Sequence, residues 1–194
     1  APIAEKLELK KYGGYILSYN GGEITNWQTG ELMYENVLDA DVLPYLYQCA
    51  KENNFAIVTY KDKYVLTEHP DDEYVLKEAI LNVMETQKVD NFLEAIDFPV
   101  AKCLIVGEAT RLAELEKVMY EALKDCMGVY RSEPYFLELV PKGIDKAQSL
   151  AVLLEKIGAT KEEMIAVGDG FNDLSMIKFA GLGVAMANAQ EVVR

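Results

Sequence analysis

Histidine occurs once among the 194 residues, at His69, and cysteine three times, at Cys49, Cys103 and Cys126. A metal site needing two or more histidine ligands is therefore excluded. A Ser-His-Asp triad is disfavoured as well, because the only imidazole sits in the loop-like stretch His69-Pro70-Asp71-Asp72. The cysteines form no Cys-x-x-Cys pair, and so odd and sparse a set points to a reducing cytoplasm rather than a disulfide frame. Basic residues are few: 19 Lys and Arg face 32 Asp and Glu, for a net charge of −13. A field of that sign repels nucleic acid and anionic lipid, so neither is expected as a partner. No apolar run approaches the roughly 18 residues of a membrane span, and Ala1-Pro2-Ile3-Ala4-Glu5-Lys6 has no signal-peptide core. What remains is a globular balance, 51% hydrophobic and 26% charged, in a chain long enough for one large domain or two small ones.

The element pattern divides the chain. Pro2 suits the first turn of a helix that Gly13-Gly14 ends. Tyr15 to Ser18 reads as a buried strand, Asn20-Gly21-Gly22 as a turn, and residues 23–25 and 32–34 as a ribbon folded around Thr29-Gly30. From Leu38 to Val140 strands and helices alternate. A helix runs from about Leu38 to Asn53, and a hairpin turns at Lys61-Asp62-Lys63. A second helix spans Asp72 to Gln87 on Val75, Leu76, Ala79, Ile80 and Val83. Lys102 to Gly107 is a strand. Leu112, Leu115, Met119, Ala122 and Cys126 mark the buried face of a third helix, and a strand pair closes the segment. Beyond it, Asp145 caps a helix that Gly158 ends, and Thr160 to Glu163 fits a capping box. Met164 to Val167 is read as a buried strand, followed by a loop, a helix to Phe179, and a strand at Gly183 to Met186. Strand, loop, helix, strand is the rhythm of a parallel α/β sheet.

Asp169 follows directly on an apolar strand, where open α/β sheets take ligands, and Asp173 opens the next helix. Two carboxylates there can hold a hard cation such as Mg²⁺, which prefers oxygen ligands. The competing roles are a turn former for Asp169 and a helix cap for Asp173. Lys146 lies in the first turn of its helix, against the macrodipole, and is better placed there if an anion sits beside it. Lys142 is its competitor. Asn172 can donate an amide to a phosphate oxygen, and Asn20 can face the same crevice. Cys103 and Cys126 fall on apolar faces and read as core.

Taken in order, Lys142-Gly143-Ile144-Asp145-Lys146, then Gly168-Asp169-Gly170-Phe171-Asn172-Asp173, then Gly183-Val184-Ala185-Met186-Ala187-Asn188-Ala189 resemble the haloacid dehalogenase-like hydrolases. More narrowly they resemble the Cof-type phosphatases with a type IIB cap, and Tyr19-Asn20-Gly21-Gly22 matches the strand end that precedes that cap. The resemblance implies a doubly wound, Rossmann-like parallel-sheet core in two parts, 1–37 and 140–194, with an inserted α/β cap over 38–139. It implies that Lys146 binds the phosphoryl group, that Asp169 ligates Mg²⁺ with Asp173 supporting the metal directly or through water, and that Asn172 contacts substrate. Lys146 and Asp173 are thus the expected catalytic residues, Lys146 and Asn172 the substrate contacts, and Asp169 and Asp173 the metal residues.

One departure goes with the match. The family's nucleophile is the first acid of an Asp-x-Asp motif on the first core strand, and a Ser/Thr motif follows on the second; neither strand is present. The expectation is an incomplete core at both ends. In the complete protein the resemblance implies a Mg²⁺-dependent phosphohydrolase acting through an aspartyl-phosphate on small phosphomonoesters, such as sugar phosphates or pyridoxal phosphate. The alternative reading is an inactive fragment, or a phosphate-binding or interaction module without a nucleophile.

Overall fold

The computed structural model describes residues 2–194. The chain separates into two compact units: a split unit of Ala1–Asn36 with Ile144–Arg194, and an inserted unit of Val37–Gly143. The fold is mixed α/β, with a parallel strand pair in the split unit.

In the split unit, short helices α1 (Pro2–Lys6) and α2 (Leu9–Tyr12) lead into an antiparallel ribbon of β1 (Tyr15–Ser18), β2 (Glu23–Asn26) and β3 (Leu32–Glu35). Its tight turn, Tyr19–Gly21, places Asn20 in the left-handed region at φ 57°. This is a conformation that asparagine tolerates better than most residues. β1 is half-buried along its whole length rather than buried.

The later part of this unit holds α6 (Lys146–Ile157), β10 (Ile165–Gly168), α7 (Leu174–Phe179) and β11 (Leu182–Ala185). The end signals of α6 act as the sequence predicts. The Asp145 carboxylate accepts from the amides of Ala147 and Gln148, which satisfies two orphan N–H groups. Gly158, at φ 71°, ends the helix in the left-handed conformation. β10 and β11 pair in parallel, with Ile165 beside Leu182 and Val167 beside Val184. The expectation of a buried strand here needs correction. Ala166 and Gly168 are buried, but Ile165 is 65% and Val167 54% exposed. An apolar run marks a strand without saying how many of its faces are covered, and among the described residues only one face of β10 is.

The inserted unit is built on a six-stranded sheet in the order β6-β5-β4-β7-β9-β8. Its members are β4 (Ala56–Lys61), β5 (Tyr64–Thr67), β6 (Glu85–Lys88), β7 (Cys103–Val106), β8 (Met127–Glu133) and β9 (Phe136–Pro141). Helices α3 (Leu43–Glu52) and α5 (Ala109–Leu123) bury Leu46, Leu112 and Met119 with Ile105, Leu137 and Leu139 of the sheet, and Phe92 joins this core.

Two expectations fail here. The helix from Asp72 stops at Leu81 as α4 (Glu73–Leu81), and residues 85–88 form β6, parallel to β5. Val83 takes φ 55°, which breaks the helix, and the amide of Met84 returns to the carbonyl of Ala79 at 2.8 Å. Its apolar period starts on a buried face, Val75 and Ala79, and runs on to an exposed one: Ile80 is 75% and Val83 78% exposed. On α5, Leu123 rather than Ala122 continues the buried face, and Cys126 is exposed rather than core. Cys103 is fully buried, as expected, and burial pushes its thiol pKa up to about 12.

Candidate active site

The described residues bring four candidates together in the split unit, around the loop after β10. Two of them carry the geometry. The Lys146 ammonium, at the start of α6, donates to Asp173 Oδ1. Asp173 Oδ2 turns back and accepts from the amides of Asp169 (3.0 Å) and Gly170 (3.1 Å). One carboxylate thus ties α6 to the loop and closes the loop on itself. Burial acts to raise the pKa of Asp173, but the Lys146 ammonium and the two loop amides outweigh it, so the carboxyl titrates below the usual range. Gly168 makes room for this: a Cβ there would lie 2.5 Å from Asp173 Cβ.

Asp169 sits at the tip of the strand and points elsewhere. Its Oδ2 accepts from Asn188 Nδ2 at 3.0 Å. The amide of Gln190 bonds the carbonyl of Asp169 at 3.0 Å, and that of Met186 the carbonyl of Gly168 at 3.0 Å, so the segment after β11 holds the loop from the other side. Asn172 Nδ2 donates to Asn20 Oδ1 at 3.1 Å, which puts the Tyr19–Gly21 turn beside the loop. Ser149 Oγ of α6 donates to the carbonyl of Gly21 at 2.6 Å, and a Cβ on Gly21 would stand 2.5 Å from that hydroxyl. Lys142 is engaged elsewhere, donating to the carbonyl of Asp125 at 2.6 Å in the inserted unit.

Among the described residues no three His, Cys, Asp or Glu side chains converge as a metal cluster. The donor set still fits Mg²⁺, which is commonly bound through one or two carboxylates while keeping waters and phosphate oxygens. Asp169 offers a half-buried carboxylate whose one hydrogen bond found here comes from a neutral amide. The two oxygens of Asp173 already accept from Lys146 and from the loop amides. Sequence reasoning quoted Asn188 within a motif but gave it no role; its bond to Asp169 spans 19 residues, and only the Gly-rich stretch before it hinted at a second loop at the same strand ends.

The Asp-x-Asp pattern does occur once, at Asp39-Ala40-Asp41. It forms a single 3-10 turn ahead of α3, with Asp39 Oδ1 accepting from the amide of Asp41 at 3.0 Å. No strand of the described residues carries an aspartate.

The haloacid dehalogenase-like hydrolase family model matches residues 1–194. A crystal structure of a haloacid dehalogenase-like hydrolase from Bacteroides thetaiotaomicron is 58% identical, with a TM-score of 0.96, over 99% of this chain and 72% of that one. A putative phosphatase of Bacillus subtilis, YxeH, is 28% identical over 95% of this chain and 69% of its own length. The 5-amino-6-(5-phospho-D-ribitylamino)uracil phosphatase YcsE, also from Bacillus subtilis, is 50% identical over 35% of this chain and 27% of its length. The chain belongs to the haloacid dehalogenase-like hydrolases.

Proposed function

We propose that the protein is a Mg²⁺-dependent phosphomonoesterase for small phosphorylated metabolites, with its phosphoryl site at the loop Gly168–Asp173. The observation that carries this reading is the Lys146–Asp173–loop linkage at the carboxyl end of β10, with Asp169 directed to its other side. Lys146 offsets charge on the phosphoryl oxygens, and such stabilisation supplies most of the rate in phosphoryl transfer. Asp173 holds that lysine aimed. Asn172 donates its amide to a phosphoryl oxygen or to the leaving group, kept in place by Asn20. Asp169 would hold Mg²⁺, which when bound neutralises charge on the phosphoryl oxygens.

A carboxylate attacks phosphorus, the bond to the leaving oxygen breaks, and water then hydrolyses the aspartyl-phosphate. No strand described here carries that acid, so in the full-length protein it comes from outside these strands. The inserted unit serves as the cap that selects the leaving group. The family match favours this enzyme over a module that binds phosphate without turnover.

The test is phosphate release from p-nitrophenyl phosphate and sugar phosphates by the full-length protein, with Mg²⁺ and with chelator. Lys146→Ala should lower kcat about 100-fold or more, roughly 3 kcal/mol of transition-state stabilisation. Lys142→Ala should leave kcat within a few-fold. Reversed effects of the two lysines, or activity indifferent to chelator, would overturn the assignment.

A further inference from the structure

β6 is an outer strand of the six-stranded sheet, and among the described residues no strand pairs its far side. The amides of Glu85 and Val89 bond the carbonyls of Lys63 and Thr67 on the β5 side, at 3.1 and 2.9 Å. In a parallel ladder alternate residues bond the same neighbour, so the N–H and C=O groups of Thr86 and Lys88 face the open edge.

The helix beside that edge is apolar on the same side. α4 packs over β5 and β6, with Val75 and Ala79 turned to the sheet at 0% and 4% exposure. On one flank Tyr74 and Lys77 lean on the ring of Tyr135, which precedes β9. Helical spacing puts Leu76 and Ile80 on the opposite flank, toward the open edge. They are 41% and 75% exposed, and Val83 follows at 78%. Val83 also takes φ 55°, a conformation that a β-branched residue adopts only against strain. Glycine or asparagine would sit there at less cost, so an exposed valine points to a contact made by its side chain.

Charge selects the partner. The chain carries −13, yet residues 76–88 are balanced, with Lys77 and Lys88 against Glu78 and Glu85. Two acidic copies can approach at such a neutral stretch, whereas a strongly charged partner gains nothing from it. Antiparallel pairing of β6 with itself about Thr86 sets Thr86 opposite Thr86 and Glu85 opposite Gln87, so no like charges face each other. With strands about 4.8 Å apart, a helix seated between β5 and β6 lies about 5 Å from a two-fold axis just beyond β6. The two α4 helices then stand roughly 10 Å apart, a distance at which helices pack.

We propose that this edge is a self-association surface, at which the inserted units of two copies join through β6 into one continuous sheet and bury Leu76, Ile80 and Val83 between the two α4 helices.

The test is sedimentation velocity of the full-length protein as its concentration is raised through the micromolar range. A monomer–dimer equilibrium is expected, and added salt should strengthen it by screening the repulsion between acidic copies. Ile80→Glu, at an exposed position, sets two carboxylates against each other and should weaken the dimer about tenfold or more. Thr86→Pro removes only an N–H on the open side, which an edge strand tolerates, and should weaken it as much. Val118→Glu, at a 64% exposed site on α5, should leave the dimer intact. Hydrogen exchange at Thr86 and Lys88 should slow on association. A monomer at every concentration, a dimer indifferent to Ile80→Glu and Thr86→Pro, or a dimer lost in Val118→Glu alone would each overturn the proposal.

Discussion

The carboxylates of Asp169 and Asp173 are four residues apart and should respond oppositely to removal. Asp173→Ala strands a Lys146 ammonium that is 24% exposed in the folded protein, beside a carboxylate that was 10% exposed. It also leaves the amides of Asp169 and Gly170 without their acceptor. Breaking a buried pair from one side costs about 3–5 kcal/mol. The residual water at Lys146 puts this case near the low end, at about 3 kcal/mol. Asp173→Asn keeps an oxygen for the loop amides but turns an NH₂ donor toward the Lys146 ammonium, losing that hydrogen bond with the charge, so it should cost about 1.5–3 kcal/mol. Asp169→Ala gives up one hydrogen bond, from Asn188, and should cost below about 1 kcal/mol while removing the proposed metal ligand. The assay is built in: Trp27 is the only tryptophan and lies half-buried in the split unit, so its fluorescence follows that unit through a urea titration. With a slope of about 1.5 kcal/mol per molar urea, Asp173→Ala should lower the midpoint by about 2 M and Asp169→Ala by less than about 0.7 M. Equal shifts for the two variants would refute the division of roles between anchor and ligand.

Two further outcomes follow from groups in the inserted unit. Burial acts to raise the pKa of Glu68, but the Phe92 amide and Tyr47 hydroxyl outweigh it and hold it below the ordinary range. The stability it contributes is therefore present above the unfolded carboxyl pKa of about 4.3 and is lost as pH falls through the lower folded value; Glu68→Gln should flatten the fall in Tm between about pH 5 and pH 3, and an unchanged slope would exclude the group. The exposed Cys126 should react with a thiol reagent in the folded chain well before the half-buried Cys49, while Cys103, its thiol pKa pushed up to about 12 by burial, should react only on unfolding. Quantitation by mass spectrometry of each cysteine peptide checks that order.

What was legible in the sequence follows the range of the interaction concerned. The start and end of α6 were readable because Asp145 and Gly158 act within four residues of their own positions. The hairpin at Lys61-Asp62-Lys63 was readable for the same reason. The strand β6 was not, because Thr86 and Lys88 owe their conformation to pairing with Val65 and Thr67 about twenty residues earlier, while Val75 and Ala79 set up a helical period that Ile80 and Val83 continue on an exposed surface. In the site, the ligand-bearing loop could be named from a strand followed by Gly-Asp-Gly. Where its side chains point could not: the inward turn of Asp173 depends on Lys146, 27 residues away, and the partner of Asn172 is 152 residues away.

That last separation has a temporal meaning. When Asn20 is added to the growing chain, the amide it will accept from is still 152 codons from being made, about 8–30 s at synthesis rates of roughly 5–20 residues per second. During that interval the β1–β3 ribbon lacks α6, against which it packs and whose Ser149 bonds Gly21; three strands stand alone only with an apolar face to bury, and here β1 is only half-buried even in the finished unit. The inserted unit, whose six strands and main helices are all made before residue 143, is free to fold during the wait. Its folding replaces a long floppy tether by an ordered one and so reduces the loop-closure entropy that the two halves of the split unit must overcome. The order of synthesis and the order of assembly therefore run in opposite senses for residues 15–35: made before the inserted unit, they are finished after it, once α6 and the loop Gly168–Asp173 are in place.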